Sequence, residues 1–176
     1  YCTGDNCAPQ IISKLDHFAS KDAMDIDGFS EKTAELLYNE THVKDAVDLM
    51  NITATDLFGL EGFGDKKIDN LLGAIEKSKH TTLDRFLFAL GIDGIGKKTA
   101  KDLVKKFRTL ENLQNATLAD LGAVDGIGEV LANNVFEYFR DSNNADFVKQ
   151  LLESGIVFEE SEEKQGVFSG MKIVLT

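Results

Sequence analysis

The sequence holds no tryptophan, one proline, two cysteines and three histidines among 176 residues. Two cysteines, Cys2 and Cys7, are too few for a disulfide-dense scaffold. A single proline, Pro9, leaves no polyproline segment and few forced helix breaks. No apolar run approaches the roughly 20 residues of a membrane span. The opening YCTGDNC lacks the basic-then-apolar order of a signal peptide. The expectation is a cytoplasmic protein with no membrane partner. Positive charge is scarce as well: 19 Lys and Arg stand against 30 Asp and Glu, a net charge of −11. That balance excludes a general polyanion binder, so a nucleic-acid reading requires a local basic patch. With 43% hydrophobic residues the chain is globular and long enough for one ordinary domain or two small ones.

Glycine is plentiful, and it is ordered. Gly62-Phe63-Gly64, Gly94-Ile95-Gly96 and Gly126-Ile127-Gly128 share one form, and Gly28-Phe29-Ser30 is a degenerate copy. An apolar-acidic pair precedes each: Ile26-Asp27, Leu60-Glu61, Ile92-Asp93 and Val124-Asp125. Near-constant spacing of this kind marks a supersecondary unit used several times. After each loop an apolar stripe begins at helical spacing. It reads Ile68, Leu71, Leu72, Ile75, then Ala100, Leu103, Val104, Phe107, then Ala132, Val135, Phe136, Phe139. The first copy keeps Ala34, Leu37 and Tyr38. Thr53 with Asp56, and Thr117 with Asp120, predict capping boxes on short helices ahead of two loops. Because IDGFSEKTAELL resembles IDGIGKKTAKDL, and NITATDLFGLEGFG resembles NATLADLGAVDGIG, copies one and two recur together as three and four. The predicted fold is mainly α, a tandem pair of units each built from two helix-loop-helix copies.

Close-set glycines before a helix serve an anion. They admit positive φ and leave the backbone uncovered. The first amides of the following helix lack intrahelical partners and carry the positive end of its dipole. A phosphodiester oxygen fits there without sequence readout. The intervening apolar residue, Phe63, Ile95 or Ile127, is expected to point inward and hold the hairpin closed. This construction resembles the helix-hairpin-helix motif, whose paired units grip DNA backbones across the minor groove. One such loop often does no more than turn the chain; four in register argue for the site. The local basic patch exists, since Lys97, Lys98, Lys101, Lys105, Lys106 and Arg108 follow the third loop with only Asp93 and Asp102 nearby. Lys97 and Lys98 lie at the wrong dipole end for helix stability, which a bound phosphate would explain. The second loop has Lys66 and Lys67; the fourth has Glu129; the first has Glu31 and only Lys32. The third hairpin is therefore expected to dominate, the second to help and the first to contribute least. The candidate contacts are Gly62, Phe63, Gly64, Lys66, Lys67, Gly94, Ile95, Gly96, Lys97, Lys98, Lys101, Gly126, Ile127 and Gly128. A nucleotide P-loop is rejected: Lys98 occupies the Ser/Thr position after Lys97, and RFLFAL before the loop reads as helix.

At the ends, Cys2 and Cys7 are either half of a four-cysteine zinc site or incidental cysteines. His17 reads as a packing or capping residue. EESEEK is an acidic linker, and GVFSGMKIVLT turns to strand character. Both ends suggest a fragment.

Taken together, YCTGDNC with Pro9-Gln10, HFASKDAMDIDG, LEGFGDKK, RFLFALGIDGIGKKTA and VFSGMKIVLT resemble the C-terminal part of bacterial NAD-dependent DNA ligases. The last of these resembles the start of a BRCT domain. The resemblance covers essentially the whole chain and implies its division. Residues 1–14 would close a four-cysteine zinc finger with Cys2 and Cys7 as two of its ligands. Residues 15–158 would hold the four hairpins, with loops near 28, 62, 94 and 126. Residues 159–166 would be a linker, and 167–176 a truncated BRCT start. It implies a monomeric grip on nicked double-stranded DNA, in the bacterial nucleoid, beside the remaining domains of the same ligase. In the whole enzyme a lysine is adenylated from NAD, the adenylate passes to the 5′-phosphate, and the 3′-hydroxyl seals the nick with magnesium assisting. No catalytic residue is expected here, since Lys14-Leu15-Asp16-His17 lacks the glycine of the adenylated Lys-x-Asp-Gly motif. Two other readings remain: a helix-hairpin-helix module of another DNA-repair protein, and a helical protein-interaction scaffold.

Overall fold

The computed structural model describes residues 7–159. Cys2, the linker beyond Glu159 and the expected strand at 171–175 lie outside the described residues. Within them the chain forms eleven helices and one pair of short strands. The first hairpin joins α1 (Ala8–Ala19) to α2 (Glu31–Glu40), and the second joins α4 (Ala54–Leu57) to α5 (Asp65–Ser78). The third joins α6 (Leu83–Ala89) to α7 (Lys97–Phe107), and the fourth joins α9 (Leu118–Gly122) to α10 (Glu129–Arg140). Short helices α3 (Ala46–Met50) and α8 (Leu110–Gln114) link the hairpins within each unit, and α11 (Ser142–Glu153) follows the last.

Local chemistry sets the helix ends. Pro9 sits in the first turn of α1, where its missing N–H costs no hydrogen bond. Thr53 and Thr117 both close full capping boxes with Asp56 and Asp120, as their spacing predicts. Asp141 caps α11 by accepting from the amides of Asn143 and Asn144. Helix α7 ends on Arg108 with φ 70°, a left-handed stop made without glycine.

The apolar stripes converge on one continuous core. Ala34, Leu37, Ile68, Leu71, Ile75, Ala100, Leu103, Ala132, Val135 and Phe139 are all buried. Leu72, Val104, Phe107 and Phe136 pack at its margin. Fully burying one such Leu or Phe is worth about 1.5–3 kcal/mol, so the stripe determines which helix face turns inward.

Two features depart from the expected layout. Helix α1 starts at Ala8 and runs through residue 14, so the division placed there falls inside a helix. Strand β1 (His80–Thr82) pairs in parallel with β2 (Val157–Glu159), so Glu159 belongs to a strand rather than a linker. The ring of Phe158 meets that of Phe86 edge-on at 5.2 Å, anchoring β2 on the core.

The units are also tied directly. His17 Nε2–H donates to the carbonyl of Phe88 at 2.7 Å, and the two rings meet tilted at 55° with centroids 4.7 Å apart. His17 is thus a packing residue between α1 and α6. Arg85 of α6 donates to the carbonyls of Lys21 and Ala23 at 2.8 and 3.3 Å, fixing the turn that follows α1.

Candidate nucleic-acid interface

All four loops are one structure. A backbone bond closes each turn: Phe29 N to Ile26 O at 3.2 Å, Phe63 N to Leu60 O at 3.0 Å, Ile95 N to Ile92 O at 3.0 Å, and Ile127 N to Val124 O at 3.1 Å. Gly28, Gly62, Gly94 and Gly126 hold φ of 79°, 80°, 82° and 84°, the sign a type II turn demands at its third position. The acid before each glycine is then the second turn residue, and it is exposed in every copy. Phe63, Ile95 and Ile127 are buried inside their hairpins. The flanking glycines are exposed, so the turn backbones face solvent.

The helices that follow differ in how they begin. Gly64, Gly96 and Gly128 occupy the N-cap positions of α5, α7 and α10, and none supplies a side-chain cap. Ser30 of the first copy does: its hydroxyl accepts from the Thr33 amide at 3.3 Å. One amide that could hold an anion is already engaged there. The first loop therefore differs from the other three in its backbone as well as in its acidic surroundings.

Within each unit the hairpins meet as pseudo-symmetric partners. Asn134 of α10 donates to the carbonyl of Asp93, in the third turn, at 3.0 Å. Asp102 of α7 occupies the matching repeat position and faces the fourth turn, its Oδ2 4.0 Å from where a Cβ on Gly126 would sit. A Cβ on Gly94 would run into the Cδ2 tip of the Leu131 side chain. In the first unit Asn70 holds the same repeat position. There Asp27, Gly28, Lys67 and Asn70 line a cleft of about 140 Å³, with Lys67 at the repeat position that Leu131 holds in the second unit.

The candidate lysines are exposed at the helix starts. Lys67 Nζ sits 4.5 Å from the Phe63 ring centroid, a cation–π contact within its own hairpin. Lys97 Nζ pairs with Asp22 at 3.3 Å, and Lys98 Nζ with Asp102 at 3.0 Å. Lys101 is exposed one turn further along α7. Neither ion pair is among the expectations from sequence. The i,i+4 spacing of Lys98 and Asp102 signals one of them, whereas nothing local signals Asp22. In the fourth hairpin Val130, 72% exposed, stands where the third has Lys98.

The described residues contain no cluster of three or more Cys, His, Asp or Glu side chains able to hold a metal. Cys7 is half-buried at the N-cap of α1. A closed tetrahedral zinc site requires four ligands, so the donors described here do not form one by themselves. No described helix is long and apolar enough to cross a membrane.

Comparison with known proteins agrees with this geometry. The helix-hairpin-helix motif matches residues 85–148, which contain the third and fourth hairpins. A DNA ligase of Clostridium tetani (strain Massachusetts / E88) is 46% identical over 174 residues, 97% of this chain and 26% of that protein. Nearly the whole chain is thus similar to part of a DNA ligase. A DNA ligase of Clostridium novyi (strain NT) is 44% identical over 173 residues, covering 97% of this chain and 26% of its own length. For a DNA ligase of Clostridium botulinum (strain Kyoto / Type A2), identity is 42% over 179 residues, 100% of this chain and 27% of that one. The chain spans about a quarter of the length of the curated relatives it matches. Its similarity to the ligases thus concerns one segment of those proteins.

Proposed function

We propose that this chain is the DNA-gripping part of an NAD-dependent DNA ligase, holding the phosphate backbones of nicked duplex DNA across the minor groove. The observation that carries it is the repetition of one exposed turn four times, three with uncapped helix amides behind it. Such amides bind oxyanions, and Lys66, Lys67, Lys97, Lys98 and Lys101 add charge beside two of them. Repeated contacts to both backbones position a duplex without reading its bases. The similarity to DNA ligases supplies the context in which a nick is the natural substrate.

In this reading the whole protein adenylates a lysine from NAD, transfers the adenylate to the 5′-phosphate and seals the nick with magnesium. The adenylated lysine and the NAD and magnesium sites belong to other domains of the same ligase. Cys2 and Cys7 supply two of four zinc ligands, and a single copy holds the DNA at the nucleoid. This chain alone binds without ligating.

The test is a gel-shift titration of the chain on nicked and intact duplex over a range of salt. Log affinity should fall with log salt at about −0.9 for each phosphate neutralised. The Lys97→Glu/Lys98→Glu double reversal should weaken binding while leaving the circular dichroism of the helices unchanged. A flat salt response with no loss on reversal supports a protein-interaction scaffold instead.

A further inference from the structure

The third hairpin, the most basic of the four, does not present bare lysines. Asp22, from the turn after α1, places a carboxylate 3.3 Å from Lys97 Nζ. Asp102, on α7 itself, places another 3.0 Å from Lys98 Nζ. Both lysines project from the first turn of α7, where the unpaired amides and the dipole favour an anion. The second hairpin differs: Lys66 and Lys67 have no carboxylate partner among the described residues. Asp22 is also held in place, since its turn is pinned by Arg85 through the carbonyls of Lys21 and Ala23. That anchoring lowers the entropy lost in forming a pair whose lysine is 58% exposed. Asp102 stands at a second strategic point, facing the fourth turn from the position where Asn134 serves the third.

We propose that Asp22 and Asp102 are built-in competitors of the DNA phosphates, occupying the lysines of the third hairpin until a duplex displaces them. This deepens the DNA-gripping reading and rests on it. A phosphate arriving at Gly96 takes over Lys97 and Lys98 and leaves the two carboxylates to water. Asp102 acts on two hairpins at once, because its charge also lies against the fourth turn and opposes a phosphate there. The consequence is a grip tuned below its maximum: affinity at the third hairpin is the difference between phosphate and carboxylate as partners for the same ammonium groups. Such tuning suits a protein that must release its product.

The test measures affinity of the whole 176-residue chain for a short nicked duplex at low salt. Asp22→Asn should tighten binding about two- to five-fold, the range that one exposed ion pair represents. Asp102→Asn should tighten it by more, since it frees Lys98 and also clears the fourth turn. A higher affinity is not a result that misfolding produces. A double-mutant cycle separates competition from net charge: the tightening from Asp22→Asn should vanish in a Lys97→Met background. Tightening that persists there is a long-range charge effect and overturns the proposal, as does unchanged affinity in both Asp→Asn variants. If the Lys97→Glu/Lys98→Glu variant itself binds as the parent does, it is the DNA-gripping reading that fails. If that variant loses binding while the Asp→Asn variants stay flat, only the competitor role is lost.

Discussion

Asn134 and Asp93 join the two hairpins of the second unit by a side-chain amide donating to a turn carbonyl at 3.0 Å. The contact brings α10 so close to the third turn that the tip of Leu131 lies where a Cβ on Gly94 would reach. Gly94 is therefore constrained twice, by its φ of 82° and by the space around it.

Gly94→Ala should destabilise the fold more than Gly62→Ala. Both carry the left-handed penalty of about 1–2 kcal/mol, but nothing lies within 4 Å of a Cβ at Gly62. Thermal unfolding of the two variants measures the difference, and Leu131→Ala should recover part of the Gly94→Ala loss. Equal melting temperatures would show that the hairpin packing is looser than described.

The hairpins should rank by charge. Reversing Lys66 and Lys67 to Glu should cost less DNA affinity than reversing Lys97 and Lys98, because the patch continues along α7 through Lys101. Conversely, Glu129→Lys with Val130→Lys installs at the fourth hairpin the bases of the third. Each additional phosphate neutralised should steepen the salt slope by about 0.9. An unaltered slope in the fourth-hairpin variant means that no phosphate comes within reach of that turn.

The capping boxes predict an acid limb. Asp56 and Asp120 accept from the backbone amides of Thr53 and Thr117, and this lowers both carboxyl pKa values below the ordinary one. A group with a depressed folded pKa contributes stability above its unfolded value, about 4, and loses it as pH falls through the folded value. Denaturant midpoints should be flat in these terms near neutrality and decline below about pH 4. Asp56→Ala with Asp120→Ala should make that decline shallower. Thr53→Ala alone should cost about 1 kcal/mol at neutral pH.

The strand pair should matter to the whole array. Phe158→Ala removes the edge-on contact with Phe86, worth about 0.5–1.5 kcal/mol beyond the area it buries. Chemical denaturation should show that loss as a single cooperative transition. A variant of parental stability would mean that β2 is a passive tail.

Much of this architecture is legible in the primary structure because its information is local. Turn glycines, apolar stripes and threonine-aspartate boxes lie within one helical turn or loop of the groups they act on. Four copies also let each correct the reading of the others, so Ile95 and Ile127 take inward positions on sequence alone. What escapes is non-local or weakly patterned. The His80–Thr82 and Val157–Glu159 strands are three residues each, too short to show alternation, and their pairing joins distant parts of the chain. Asp22 meets Lys97 only because α1 lies beside α6, a tertiary fact that no spacing encodes. The acid before each glycine fills the exposed second position of the turn, a place that only the backbone bond across each loop defines.

The parallel pairing of β1 with β2 returns the polypeptide to its own midpoint. Everything between residues 80 and 159, including the third and fourth hairpins, is thereby a closed circuit fastened at the seam with the first two. The third and fourth hairpins therefore lie inside a loop of chain that backbone hydrogen bonds close at its base, so their mutual placement is held at both ends of the segment that carries them.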